Sequence, residues 1–126
     1  MEMIIILLAM IFCHIVDDYY LQGWLASAKQ KSWWEKNAPE KLYRNDYMMA
    51  LLMHSFSWSF MTMLPIILYY FLNGSIETKV WIAIPYLWNM AIHSVVDDLK
   101  ANKKQINLIQ DQCIHLVQIW QRGRRL

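Results

Sequence analysis

The chain has 126 residues, 57% of them hydrophobic and only 17% charged, where a soluble domain of this size carries about a quarter charged residues. Its net charge is +2, and the basic residues are interleaved with Glu35, Glu40 and Asp46, so it lacks the one-sided basic face of a nucleic-acid-binding protein. The mean hydropathy of +0.18 hides a division: charges gather in residues 29–46, 97–104 and a tail with Arg122, Arg124 and Arg125, and the stretches between are almost purely apolar. That distribution predicts a single transmembrane helical domain over residues 1–126.

Residues 3–22 open on Ile4, Ile5, Ile6, Leu7 and Leu8 and close on His14, Asp17, Asp18 and Gln22, one bilayer crossing with a polar end. No basic stretch precedes this segment and no small-x-small site follows it, so it reads as a span and not as a removable leader. In residues 23–46, Trp24, Leu25, Ala28, Trp33 and Trp34 predict a short helix lying in the membrane interface. Residues 47–72 form a second span, closed by a turn at Asn73, Gly74 and Ser75. A third covers 80–99 and ends in His93, Asp97 and Asp98.

The fourth segment, 105–121, is shorter and mixed, with Gln110, Asp111, Gln112, His115 and Gln118 among its apolar residues. It reads as a short or re-entrant helix. Pro65 and Pro85 fall inside spans, where neighbouring helices can cover the lost backbone bond. The expected fold is therefore all-α, a polytopic membrane bundle of about four helices. Cys13 and Cys113 lack a CxxC spacing and read as membrane-buried thiols. Tyr19, Tyr20, Trp24, Tyr69, Tyr70 and Trp81 read as interfacial belts.

Lys29, Lys31, Lys36, Lys41 and Arg44 in the first connection, and Lys100, Lys103 and Lys104 in the third, contrast with Lys79 alone in the second. The positive-inside rule places those two basic connections in the cytoplasm and the N-terminus outside, in a cytoplasmic (inner) membrane. A re-entrant fourth helix would return the arginine tail to the same side.

Ionisable residues at membrane depth cost several kcal/mol each on most scales and mark function by default. His14 and Asp18, His93 and Asp97, and Asp111 and His115 are each four apart, which puts each pair on one helix face. His14, His54 and His93 all fall roughly 10–12 Å from the positively flanked face, at about 1.5 Å per residue. Taken alone, His54 reads as a packing histidine and the pairs as interhelical salt bridges. Their shared depth favours ligation instead. The candidate metal ligands are His14, Asp18, His54, His93, Asp97, Asp111 and His115. Seven donors exceed one tetrahedral zinc, which points to two divalent ions of the zinc, manganese or iron type. Asp17 and Asp98 are offset by one position and read as supporting or interface residues.

The expected activity is metal-dependent hydrolysis at the cytoplasmic headgroup level, on a phosphoester, ester or amide in a lipid-linked or amphipathic substrate. Gln22, Lys29 and Lys100 are candidates to hold its anionic group, and Lys100 is the candidate for a catalytic role. The alternative is a non-enzymatic, metal-stabilised scaffold or modulator of a host membrane. A metal transporter is disfavoured, because the outer half offers only Ser55, Ser57, Ser59, Thr62 and Asn89 as polar waypoints.

The residues His14-x3-Asp18-Tyr19-x-Leu21-Gln22 with Lys29, then His54, His93-x3-Asp97-x2-Lys100 and Asp111-Gln112-x2-His115, resemble domain of unknown function 3307. This is a family of small bacterial and phage integral membrane proteins. The resemblance runs nearly end to end and implies the membrane-bundle fold and these marked residues. The family is similar in style to membrane proteins regarded as metal-dependent hydrolases. The doubled aspartate departs from the family pattern, whose first position is non-acidic, and leaves the choice between Asp17 and Asp18 open.

Overall fold

In the computed structural model, residues 2–73 and 82–124 are described, and every regular element among them is helical. Helix α1 spans Glu2–Val16 and continues into a π turn over Asp17–Leu21. Two short helices follow, α2 at Leu25–Ala28 and α3 at Lys31–Asn37, then a 3-10 turn at Lys41–Tyr43. The long helices α4 (Asp46–Asn73), α5 (Ala83–Ala101) and α6 (Leu108–Gly123) complete the chain. Gly74, Ser75, Lys79, Trp81, the start of the expected third span and Arg125 lie outside the described residues.

Two stretches, Glu2–Leu21 and Lys41–Asn73, are long and apolar enough to cross a membrane. At 16 residues, α6 reaches about 24 Å at 1.5 Å per residue, short of a hydrocarbon core of about 30 Å. The fourth helix is thus as short as its mixed sequence implies. Pro65 sits within an unbroken α4. Pro85 falls in the first turn of α5, where its missing N–H would have had no helical partner.

Local chemistry sets where α6 begins. Asn107 Oδ1 accepts from Gln110 N at 2.9 Å while Gln110 Oε1 accepts from Asn107 N at 3.0 Å, a reciprocal capping box. From that start, Asp111, His115 and Gln118 fall on one buried face, at the three- and four-residue intervals that align helix neighbours.

Helix α4 packs against both α1 and α5, and α6 packs against the same two. Met10, Trp58, Ile66 and Ile119 form the apolar centre, with Ile6, Leu7, Ile11 and Tyr70 around it. Much of the remaining interior is polar: His14, Asp17, His54, Ser55, Ser59, Thr62, His93, Asp111 and His115 are at most 2% exposed. The outer face carries Ile4, Ile5, Leu8 and Phe12, each 60% exposed or more. Polar groups inside and large apolar groups outside invert the soluble pattern and suit a surround of lipid.

The 23–46 connection packs its short helices under the bundle. Trp24, Trp33 and Trp34 meet edge to face, with ring centroids 5.1–6.1 Å apart, and Trp34 stacks on Tyr43. Gly23 takes φ +47° at the turn into this segment, a conformation that costs glycine little. Cys13 and Cys113 are free, Cys13 half-buried and Cys113 exposed on the outer surface of α6.

Candidate metal centre

Four helices deliver their histidines to one place. His54 and His93 have ring centroids 5.1 Å apart, His93 and His115 4.3 Å, and His14 and His115 5.8 Å. The common depth expected from counting along each span is therefore present in space. Trp58, one turn beyond His54, lies flat against His93 at 4.0 Å with planes inclined 13°.

Five of the expected ligands form two overlapping groups of buried donors: Asp18, His54 and His93, and His93, Asp97 and His115, with ligand atoms in each within 4.8 Å of one another. His54 Nε2 lies 3.2 Å from His93 Nε2, 3.2 Å from Asp97 Oδ2 and 3.6 Å from Asp18 Oδ1. His93 Nε2 is 3.7 Å from Asp97 Oδ1. For donors about 2.0–2.2 Å from a tetrahedral ion, the edges of the tetrahedron are about 3.3–3.6 Å. These separations match.

Several atoms here are buried without a hydrogen-bond partner: Asp18 Oδ1, Asp111 Oδ1, His115 Nε2 and His54 Nδ1. An unsatisfied buried polar atom costs about 1–3 kcal/mol, more if charged. Asp18 Oδ1 faces His54 Nε2, and His115 Nε2 faces Asp97 Oδ1 at 3.4 Å and Asp111 Oδ1 at 3.3 Å. A cation beside Asp18 Oδ1 would satisfy that oxygen, and a proton on His115 Nε2 would join its ring to Asp111 Oδ1.

His14 and Asp111 lie beside these groups. Trp58 Nε1 donates to His14 Nδ1 at 2.7 Å, and an indole nitrogen can only donate. His14 Nδ1 is therefore an acceptor, its proton sits on Nε2, and that proton points at Gln112 Oε1, 3.0 Å away. Gln112 Nε2 in turn faces Asp111 Oδ2 at 3.1 Å and Asp18 Oδ2 at 3.4 Å. With both nitrogens engaged, His14 orients the carboxylates through Gln112. Asp111 Oδ2 accepts from Lys100 Nζ at 2.6 Å.

The two aspartates at the end of α1 take different roles because the helix widens there. Gln22 N donates to Asp17 O at 3.0 Å, five residues back, and such π turns recur at functional sites. Asp17 Oδ1 accepts from Ser57 Oγ at 2.6 Å, whereas Asp18 turns toward the histidines. Asp98 binds Asn102 and Lys103 at the rim.

The basic residues expected at the mouth are placed differently from one another. Lys29 is buried at 8% exposure, and its Nζ donates to Asp97 Oδ2 at 2.6 Å and Gln22 Oε1 at 3.2 Å. Gln22 Nε2 also donates to the Asp18 carbonyl. Lys100 keeps 31% of its side chain exposed while its Nζ donates to Asp111. Helical spacing could not find Lys29, whose position depends on the path of an irregular connection. Asn102 settles that path: its Oδ1 accepts from Lys31 N at 2.7 Å and its Nδ2 donates to Lys29 O at 3.1 Å.

A cleft of about 490 Å³ opens between α1 and α6, lined by Ile11, Ile15, Tyr19, Tyr20 and Leu116, with His14 and Gln112 as its polar members. No family model, curated protein or solved structure matches the chain. Chemistry alone therefore carries the functional reading.

Proposed function

We propose that this chain is a metal-dependent membrane hydrolase, acting near the cytoplasmic headgroup level on a phosphoester, ester or amide of an amphipathic substrate. The observation that carries the reading is the buried set of Asp18, His54, His93, Asp97 and His115, in which His54 Nε2 lies 3.2–3.6 Å from donor atoms of Asp18, His93 and Asp97, close to the edge lengths of a metal tetrahedron. Bound there, a divalent cation of the zinc, manganese or iron type supplies Lewis-acid polarisation and acidifies water. The cleft between α1 and α6 falls in the size range of small-molecule sites, and its apolar walls suit a hydrocarbon chain.

In that cleft the His14 Nε2–H, held in this tautomer by Trp58 and bonded to Gln112 Oε1, can turn its hydrogen bond to a leaving group when Gln112 yields. Lys100, bonded to Asp111 but with 31% of its side chain exposed, can also meet an anionic group of the substrate at the rim. Gln22 and Lys29 are committed to Asp18 and Asp97, so they position the site instead of gripping substrate. The basic connections support a cytoplasmic orientation by the positive-inside rule, and the motif resemblance to domain of unknown function 3307 supports membership of that family.

The complete burial of His54, His93 and His115 also favours a second reading, a closed metal that only stabilises a membrane scaffold. A catalytic ion keeps an open position and a structural one does not. The test is hydrolysis of chromogenic phosphodiester, ester and amide probes by the purified, metal-loaded protein. Activity that is lost in His54→Ala and on chelation supports the hydrolase. Metal bound without any turnover, across substrates presented in mixed micelles, would leave the scaffold.

A further inference from the structure

Charge inside the bundle sets how many ions the centre takes. Four carboxylates are buried, those of Asp17, Asp18, Asp97 and Asp111. Two ammonium groups already stand against them: Lys29 Nζ at 2.6 Å from Asp97 Oδ2, and Lys100 Nζ at 2.6 Å from Asp111 Oδ2. With the histidines neutral and all four carboxylates ionised, the states in which such groups ligate, the interior lacks two positive charges. One divalent ion supplies them. A second would leave the buried core with an excess of positive charge, which a low-dielectric interior penalises.

The donor geometry leads to the same count. The two candidate groups share His93, and each ring nitrogen has one lone pair to give. Its Nε2 faces His54 Nε2 at 3.2 Å, while its Nδ1 faces His115 Nδ1 at 3.3 Å. On the His115 side, Asp111 holds Lys100 through Oδ2, and its Oδ1 lies 3.3 Å from His115 Nε2, the contact of a His–Asp pair. On the His54 side, Asp18 Oδ1 is buried, has no hydrogen bond and faces His54 Nε2 at 3.6 Å.

Resting on the metal reading above, we infer that the centre is mononuclear. One divalent cation is held by Asp18, His54 and His93, with Asp97 Oδ1 as fourth ligand, and Lys29 and Lys100 serve as built-in counter-cations. They keep the Asp111–His115 half free of metal, as a His–Asp pair beside the ion. This replaces the two ions that seven candidate ligands suggest from sequence.

The experiment is a count of metal per chain, by elemental mass spectrometry and quantitative amino-acid analysis, on the full chain purified in detergent, loaded with Zn²⁺ and desalted. One ion per chain is expected. Two would overturn the mononuclear centre and leave the metal-dependent hydrolase standing; none, with Zn²⁺, Mn²⁺ and Fe²⁺ each tried, would overturn both. Among variants that elute as the wild type does, His54→Ala falls to background and Asp111→Asn stays at one. Loss of the ion in Asp111→Asn would refute the ligand assignment. The double variant Lys29→Gln, Lys100→Gln rises to two ions, and a count that remained at one would refute the counter-cation role. The wild-type count decides the stoichiometry even if a variant fails to fold.

Discussion

Trp58 governs the cluster from its apolar side, through one hydrogen bond and one ring face. Its indole N–H holds His14 in the Nε2–H tautomer, and its ring lies against His93. Phenylalanine at this position keeps much of the ring contact and removes the Nε1–H that donates to His14 Nδ1. A buried acceptor left without a partner costs about 1–3 kcal/mol. Trp58→Phe should therefore lower the unfolding midpoint in detergent and release His14 to exchange tautomers. Nitrogen-15 NMR of histidine-labelled protein reads the second effect directly: one Nε2–H tautomer for His14 in the wild type, a mixture in the variant. A single unchanged tautomer in the variant would show that Trp58 does not set it.

At the scale of the helices, two junctions hold the site in register. Asn102, past the end of α5, bonds to both Lys29 O and Lys31 N, so it ties the first connection to the third where Lys29 enters the bundle. Asn102→Ala removes both bonds. The amides of residues 29–31 should then exchange hydrogen faster, by about tenfold for each 1.4 kcal/mol of lost protection, while those in the middle of α4 keep their rates. Hydrogen-exchange mass spectrometry makes the comparison. The second junction is Gly123, where a Cβ would come within 3.1 Å of Leu7 Cδ1. Alanine asks only that a flexible leucine tip move. Leucine would push α6 off α1, and overpacking of this kind costs about 1–3 kcal/mol. Thermal unfolding of Gly123→Ala and Gly123→Leu should separate them, with the larger loss in the second.

These helices were legible in the sequence to the extent that their chemistry is periodic. The pairs His14/Asp18, His93/Asp97 and Asp111/His115 follow from the helical repeat, and the meeting of the histidine rings follows from counting turns from a charged flank. The roles within the cluster do not follow. His14 is drawn away from ligation by Trp58, a residue on another helix, and Lys29 arrives through a connection whose path is fixed by Asn102, 73 residues away. Such contacts depend on the tertiary packing, which a single-helix pattern does not encode. The division of Asp17 from Asp18 depends on a π turn that the local sequence gives no sign of.

Over the whole molecule, the cluster joins elements that otherwise meet across a thin apolar centre of Met10, Trp58, Ile66 and Ile119. Asp18 comes from the end of α1, His54 from α4, and His93 and Asp97 from α5, so one ion bound to all four would tie three helices together. An unfolded chain cannot present these donors at tetrahedral spacing, so binding is linked to folding. The linkage has a fixed size: free metal at a hundred times its dissociation constant stabilises the fold by about 2.7 kcal/mol. Adding a chelator to metal-loaded protein should lower the unfolding midpoint, and restoring the ion should recover it. In His54→Ala the midpoint starts low and stays there, with or without chelator. Asp111→Asn, on the side assigned to Lys100, should retain the metal-dependent shift even if its midpoint falls, because that variant loses an ion pair and no ligand. Thermal unfolding in detergent, followed by the loss of helical circular dichroism, measures all three proteins in one format. A midpoint indifferent to chelation in the wild type would mean that the lysine pairs and histidine contacts hold these helices without help from a metal.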